Sequence, residues 1–532
     1  MDYNFTALPY ERTSSFSPII IDYLNGNENL KSFYAHMPSR EGILQAIRER
    51  EKFSTNRDVL VQGLAAQYRD IEVSEAVKIN LEKLKQPNCF TVTTAHQPAL
   101  FTGPLYFIYK ILHTIKLAQN LKESHPDKDF VPVFFMGSED ADSDELCHFY
   151  LGEDKIIWDH GQTGAVGRME NKNLEPLFTR IAYEISALPK GKEILEILRS
   201  SYLPGENIQT GTLKLLNSLF GEYGLIIYIP DNSIFKQQMH QVFADDLFHH
   251  SASGIVHRTI EALEKKYKVQ AHPREINLFY LENDKRERIE QKGDFWHVLN
   301  TGIKFTREGL ENALRETPEK FSPNVILRGI MQEMTLPNIA FIGGGGELAY
   351  WLELKEVFEY YKVPYPVLIL RNSFLLIESR WKALRLKLNI GVEELFEPVQ
   401  ALEKKKIEAL KKYKLNLQDE QDELKKFFDR LTETCGESDP TLKAHVQSIL
   451  RANEKKLSAL EKKLLKVAKM KEEAILRQIG KLKSALFPHG KLQERVENFI
   501  PYYALYGEEW LQMLLHHSFT TEQQFGIIEI NK

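Results

Sequence analysis

The residues best placed to do chemistry gather at the ends of three apolar runs. His96 and Gln97 follow the β-branched stretch Phe90–Thr94. An acidic turn with Glu139, Asp140, Asp142, Asp144 and Glu145 follows Phe130–Met136. The glycines Gly343, Gly344, Gly345 and Gly346, then Glu347, follow Asn338–Ile342. A histidine and an amide at a strand end can face negative charge developing on an acyl or phosphoryl oxygen. Carboxylates can orient an ammonium group or take a proton from an amine. Glycines let a phosphate or carboxylate approach backbone amides closely. Each group also has a structural reading. The His–Gln pair can satisfy backbone groups in a tight connection, the acids can cap the next helix, and the glycines can form a tight turn.

Several sharper motifs are excluded. A calcium loop starting at Asp140 would need glycine at its sixth position and a bidentate Glu at its twelfth, where Glu145 and Leu151 stand. The glycine turn is neither GxGxxG nor a P-loop, since no Lys-Ser/Thr pair follows. No GxSxG elbow or HExxH occurs, and no metal site is expected. Arg328 and Arg371 are candidate anion clamps, or equally salt-bridge partners.

The elements that must position these groups read as α/β. Phe90–Thr94 reads as a strand, Pro104–Leu121 as a helix and Phe130–Met136 as a second strand, a βαβ unit with parallel strands. Thr102 and Gly103 are candidate caps, with Pro104 at the first helical position. Gly224–Pro230 reads as a further strand. The chain Asn338–Ile342, glycine turn, Glu347–Tyr361 and Pro364–Leu370 reads as strand, turn, helix and strand. Residues 1–85 read as helical and charged, and 86–390 as the α/β core with insertions at 151–220 and 232–320. Residues 391–485 change abruptly to Lys, Glu and Leu, and 486–532 return to the core.

Within that Lys/Glu-rich region, Leu410, Tyr413, Leu417, Gln421, Leu424, Phe428 and Leu431 follow heptad-like steps. So do Val446, Ile449, Asn453, Leu457, Leu460, Leu464 and Val467, with one stutter. The expectation is an antiparallel hairpin of about 60 Å, with Pro440 opening the second arm. Its apolar surface predicts contact with a second chain, as a homodimer, or with the core. The second arm is basic between Lys455 and Lys471. That is either a solvated face or a polyanion-binding surface, and a coiled-coil scaffold or nucleic-acid-associated protein is the alternative function.

Length and composition set the bounds. A chain of 532 residues implies two or three domains. The formal net charge of -5 argues against a dedicated nucleic-acid binder. Cys89, Cys147 and Cys435 lack any pairing or CxxC spacing, which fits a reducing compartment. No secretory signal pattern and no spanning apolar run is visible, so a cytoplasmic protein without a membrane partner is expected.

Taken in order, five segments resemble the bacillithiol biosynthesis cysteine-adding enzyme family (BshC). They are Ala95–Tyr106, Gly137–Glu145, Ser322–Gln332, Gly343–Trp351 and Leu370–Ser373. The resemblance spans essentially the whole chain. It implies a Rossmann-like, nucleotidyltransferase-type core with helical insertions and a dimerising antiparallel coiled coil. The implied activity joins cysteine to the amine of glucosaminyl malate, the last step of bacillithiol synthesis. This chain has Ala95-His96-Gln97 where the family often has Gly-Gln-Gln, and Ala141 where it often has histidine.

On this reading His96, Gln97, Glu139, Asp140 and Asp142 are the catalytic candidates. Thr102, Gly103, Lys110, Asn324, Arg328, the four glycines, Glu347, Arg371 and Ser373 are the substrate- or nucleotide-binding ones. Amide formation needs an activated carboxylate, so ATP or another activated donor is expected between the first strand–helix turn and the glycine turn. Cysteine and glucosaminyl malate are the expected substrates, with Arg371 and Arg328 on the malate carboxylates.

Overall fold

Five apolar runs form one parallel sheet in the order Val367–Leu370, Asn338–Gly343, Cys89–His96, Asp129–Met136, Ile226–Tyr228. The structure, a computed structural model, describes residues 1–203, 207–410 and 417–531, without the side chains of 407–410, 468 and 471. Counted along the chain, the sheet has the Rossmann order 3-2-1-4-5. Its strands are rich in Val, Ile, Thr and Phe and buried almost throughout, as a parallel sheet covered on both faces requires. Phe90, Val92, Ile339, Ile342, Val367 and Ile369 pack with Leu117, Ala118 and Leu121 of the helix Tyr106–Ser124, and with Ile43 and Ile47. All-parallel order puts every strand's carboxyl end on one edge. The direction of the connections reverses between Cys89–His96 and Asn338–Gly343, which is where such folds open a ligand crevice.

Two compact units divide the chain: residues 1–376 with 491–532, and residues 377–490. In the first, the inserted segment 232–320 contributes helices and most of a five-stranded sheet, in which Leu278–Glu282 lies between Lys285–Lys292 and Phe321–Pro323. Residues 1–85, read as helical, carry four α-helices, but they open on a strand, Tyr3–Pro9, paired antiparallel with Gln524–Ile530.

The strand-to-helix connection also differs from the capping expected. The helix begins at Tyr106 without a side-chain cap. Phe101, Thr102 and Gly103 all adopt positive φ, at 48°, 66° and 58°. Asn498 Nδ2 donates to the carbonyls of Phe101 (3.0 Å) and Gly103 (2.7 Å), holding the bend from a distant segment. The helix expected over Glu347–Tyr361 is two helices, Gly345–Trp351 and Lys355–Tyr361.

The second unit is helical. Gln418–Ser438 packs against the helix Leu442–Leu486, whose 45 residues extend about 67 Å at the α-helical rise. Phe428, Val446 and Leu450 are buried together, with Leu424, Leu431 and Cys435 beside them. The inward stripe therefore uses Leu450; Ile449, Leu460 and Val467, expected inside, are exposed at 40–49%. Tyr413 and the side chains of Leu410 and Lys471 lie outside the described residues.

Candidate active site

A cavity of about 700 Å³ opens at the carboxyl edge of the parallel sheet, within the first unit. It has the size of a small-molecule site and lies at the crevice the strand order creates.

Its first wall is the end of the strand Cys89–His96. His96 Nδ1 lies 2.9 Å from the Gln97 carbonyl, which can only accept, so Nδ1 carries the proton. Nε2 is then left to accept from the Tyr106 hydroxyl at 3.2 Å. Burial, reinforced by nearby Lys110, lowers the His96 pKa to about 4, so the ring is neutral at pH 7. Burial pushes the Tyr106 phenol up to about 12, and the Glu145 charge adds to it. Lys110 is itself buried. It donates to the Ala95 carbonyl (2.8 Å) and pairs with Glu347.

The acidic turn forms the second wall and divides by direction. Asp140 accepts from Gln97 Nε2 at 2.9 Å and from Arg328 Nη1 at 2.9 Å, and its other oxygen pairs with Arg328 Nη2. Arg286 Nη2 stands 3.7 Å from Asp140 Oδ1. Burial raises the Asp140 carboxyl, but Arg328, Arg286 and the Gln97 amide outweigh it and leave a pKa of about 2. Glu139, one residue earlier, does not line the cavity. It is buried against Lys236, and its pKa is raised by that burial. Asp142 accepts from the Glu145 amide at 3.0 Å and caps the short helix Ser143–Leu146, which is the capping reading of this turn. Glu145 does line the cavity, with its pKa raised by burial and by Asp142 and Asp140.

The glycine turn is the third wall. Gly343 is close-packed: a β-carbon there would stand 2.6 Å from Leu348 Cδ1 and 2.8 Å from the Phe341 ring. Gly346 faces open space. The Gly344 amide, first in line for an incoming anion, already donates to Glu347 Oε2 at 2.8 Å. Glu347 thus fills its own helix N-terminus and neutralises Lys110.

Arg371 closes the fourth side. It is a buried salt-bridge partner of Glu494 (2.7 Å), donates to Ser373 Oγ (3.1 Å) and lies 5.1 Å over the Tyr106 ring. The cavity therefore gathers His96, Gln97, Lys110, Asp140, Asn324, Arg328, Gly344, Gly345, Gly346, Glu347 and Arg371. Glu139, Asp142, Thr102, Gly103, Gly343 and Ser373 are outside its lining. Asn324 Oδ1 caps the helix Val325–Thr335 by accepting from the Ile326 amide at 2.8 Å.

Sequence reasoning missed Tyr106, Arg286 and Arg495 as cavity residues, and it gave Glu145 no role of its own within the acidic turn. Glu145 stood within the acidic turn already singled out, and Tyr106 followed the expected helix start. Arg286 had no local signal, since it lies on a charged strand inside a segment read only as an insertion.

Comparison with known proteins agrees with this architecture. Residues 1–372 match the domain described as "Bacillithiol biosynthesis BshC, N-terminal Rossmann-like domain". Residues 374–530 match "Bacillithiol biosynthesis BshC, C-terminal coiled-coil domain". A protein of Flavobacterium psychrophilum named "Putative cysteine ligase BshC" is 38% identical over 98% of this chain and 99% of its own length. Proteins of the same name from Flavobacterium johnsoniae (37%; 98% and 99%) and Christiangramia forsetii (36%; 99% and 99%) are comparably similar.

Proposed function

We propose that this chain, which belongs to the bacillithiol biosynthesis BshC family, is a cysteine ligase. It joins the carboxyl of L-cysteine to the glucosamine amine of glucosaminyl malate, as the last step of bacillithiol assembly. The observation that carries this reading is the charge arrangement around Asp140. Two guanidiniums, Arg328 and Arg286, face one carboxylate at the sheet's carboxyl edge. One positive charge is left over there to hold one anionic group of a substrate, a carboxylate or a phosphate, in place. On the same wall, Glu145 supplies a carboxyl whose pKa is raised by burial and by the neighbouring Asp142 and Asp140 charges.

These residues divide the work. Asp140, with a pKa of about 2, stays ionised and orients an ammonium group or the two arginines; it is not a proton acceptor near pH 7. Glu145 takes the proton released as the amine attacks. Neutral His96 and the Tyr106 hydroxyl form a hydrogen-bonded pair that holds the polar end of the substrate. The carboxyl must be activated before an amine can displace its oxygen, and ATP or another nucleotide supplies that activation when bound. The open side of Gly346, with Arg286 and Arg328, fits a phosphate, whereas the Gly344 amide and Lys110 are already satisfied by Glu347.

In the second unit, Leu460, Leu465, Val467 and Met470 are 48–60% exposed along one long helix, and they support pairing with a second copy. Among the described residues no helix is long and apolar enough to cross a membrane.

Purified protein given cysteine, glucosaminyl malate and ATP should yield bacillithiol by mass spectrometry. No product would sink the ligase reading. Product formed without any nucleotide or other activated donor would remove the ATP part. Sedimentation of the full chain tests the dimer.

A further inference from the structure

The substrate carboxylates were expected on Arg371 and Arg328, yet both guanidiniums already hold protein carboxylates, Glu494 and Asp140. A second cavity of about 380 Å³ offers guanidiniums that do not. It is lined by His272, Arg274, Ile276, Phe279, Arg288 and Asn324, with no carboxylate among them. Phe279 and Asn324 also line the main cavity, so the two spaces adjoin across these residues.

The fold explains the placement. Arg288 lies directly across from Phe279 in the antiparallel pair formed by Leu278–Glu282 and Lys285–Lys292. Arg286, two residues earlier on the same strand, stacks 3.9 Å from the Phe279 ring and lines the main cavity. One strand thus supplies an arginine to each space. Asn324 is fixed as a shared wall, since its Oδ1 caps the Ile326 amide and its Nδ2 donates to Asn277 Oδ1 at 2.9 Å. Among the described residues, neither Arg274 nor Arg288 has an ion-pair or hydrogen-bond partner for its guanidinium. Two unneutralised guanidiniums beside an imidazole, with an apolar floor, are the chemistry that selects a doubly charged anion.

We propose that this annex holds the dianionic end of a substrate, a dicarboxylate or a phosphate group, while the reacting end lies in the main cavity. The proposal rests on the ligase reading above, in which malate is the dicarboxylate and ATP the phosphate source.

Calorimetric titration of the full chain with L-malate and, separately, with ATP tests it on wild type and Arg274→Gln/Arg288→Gln. About tenfold weaker binding of malate, with ATP unchanged, assigns the annex to the dicarboxylate. The reverse pattern assigns it to phosphate. Equal affinities of both proteins for both probes, or no binding by wild type, overturns the proposal. Arg274→Lys/Arg288→Lys should recover part of the lost binding, which a folding defect would not. Product formation by wild type reads the ligase assignment separately. If product forms with an unchanged KM for glucosaminyl malate and for ATP in the Gln variant, the annex is wrong and the ligase reading stands. If no product forms but anion binding is lost in the variant, the reverse holds.

Discussion

Arg328 donates to both carboxylate oxygens of Asp140, through Nη1 to Oδ2 at 2.9 Å and through Nη2 to Oδ1, from 188 residues away in the chain. This pair ties the helix Val325–Thr335 to the turn after the second core strand, and Arg286 approaches the same carboxylate. Asp140→Asn removes the charge while keeping the shape. It should lower kcat/KM by about 10- to 100-fold through lost orientation. The cost in stability should be about 2 kcal/mol, because two guanidiniums lose their counter-charge. Steady-state kinetics and denaturant unfolding check the two effects.

Glu139 stands next to Asp140 in sequence and plays a different part. Its carboxyl is 3% exposed and paired with Lys236, which is fully buried. Glu139→Gln should destabilise the first unit by about 3 kcal/mol, since among the described residues Lys236 then keeps only Asp231 and the Glu319 carbonyl. The KM values of the folded fraction should not change. A rise in KM at unchanged stability would place Glu139 in the site after all.

Glu347 occupies the Gly344 amide that a phosphate would otherwise take. Glu347→Gln removes a negative charge from that helix N-terminus, so ATP or inorganic phosphate should bind several-fold more tightly by calorimetry. Weaker binding would mean that the carboxylate helps to hold the nucleotide. The same change leaves Lys110 buried without its counter-ion and should lower the thermal midpoint.

His96 and His113 both have pKa values lowered to about 4, in each case first by burial. Their unfolded values are near 6.5, so the unfolded chain binds more protons between about pH 4 and pH 6.5. Their contribution to stability is therefore complete above about pH 6.5 and is lost as pH falls toward 4. Thermal midpoints measured across that window should fall with pH. His96→Gln should flatten the dependence by about one proton. Because His96 stays neutral at working pH, the acidic limb of the activity profile should persist in that variant.

The sequence by itself determined a good deal here. β-branched runs such as Phe90–Thr94 favour interior strands, and a strand–helix–strand succession favours parallel pairing. That puts His96 and Asp140 on one edge, and the pairing of Asn338–Gly343 with the first strand brings Gly344 to it. The Lys/Glu/Leu stretch likewise declares its helices by periodicity, although which residue turns inward, Leu450 or Ile449, depended on packing with the neighbouring arm.

What only the tertiary structure decided was which neighbour of each charge came from elsewhere in the chain. Glu139 and Asp140 are chemically alike and adjacent, yet one meets Lys236 in the interior and the other meets Arg328 at the cavity. Thr102 and Gly103 look like a cap, yet the bend is held by Asn498. Arg286 reaches the site from an inserted sheet that carries no motif. A side chain's role follows from its direction and its counter-charge. In this fold the counter-charges lie about a hundred or more residues away, beyond the reach of any local pattern.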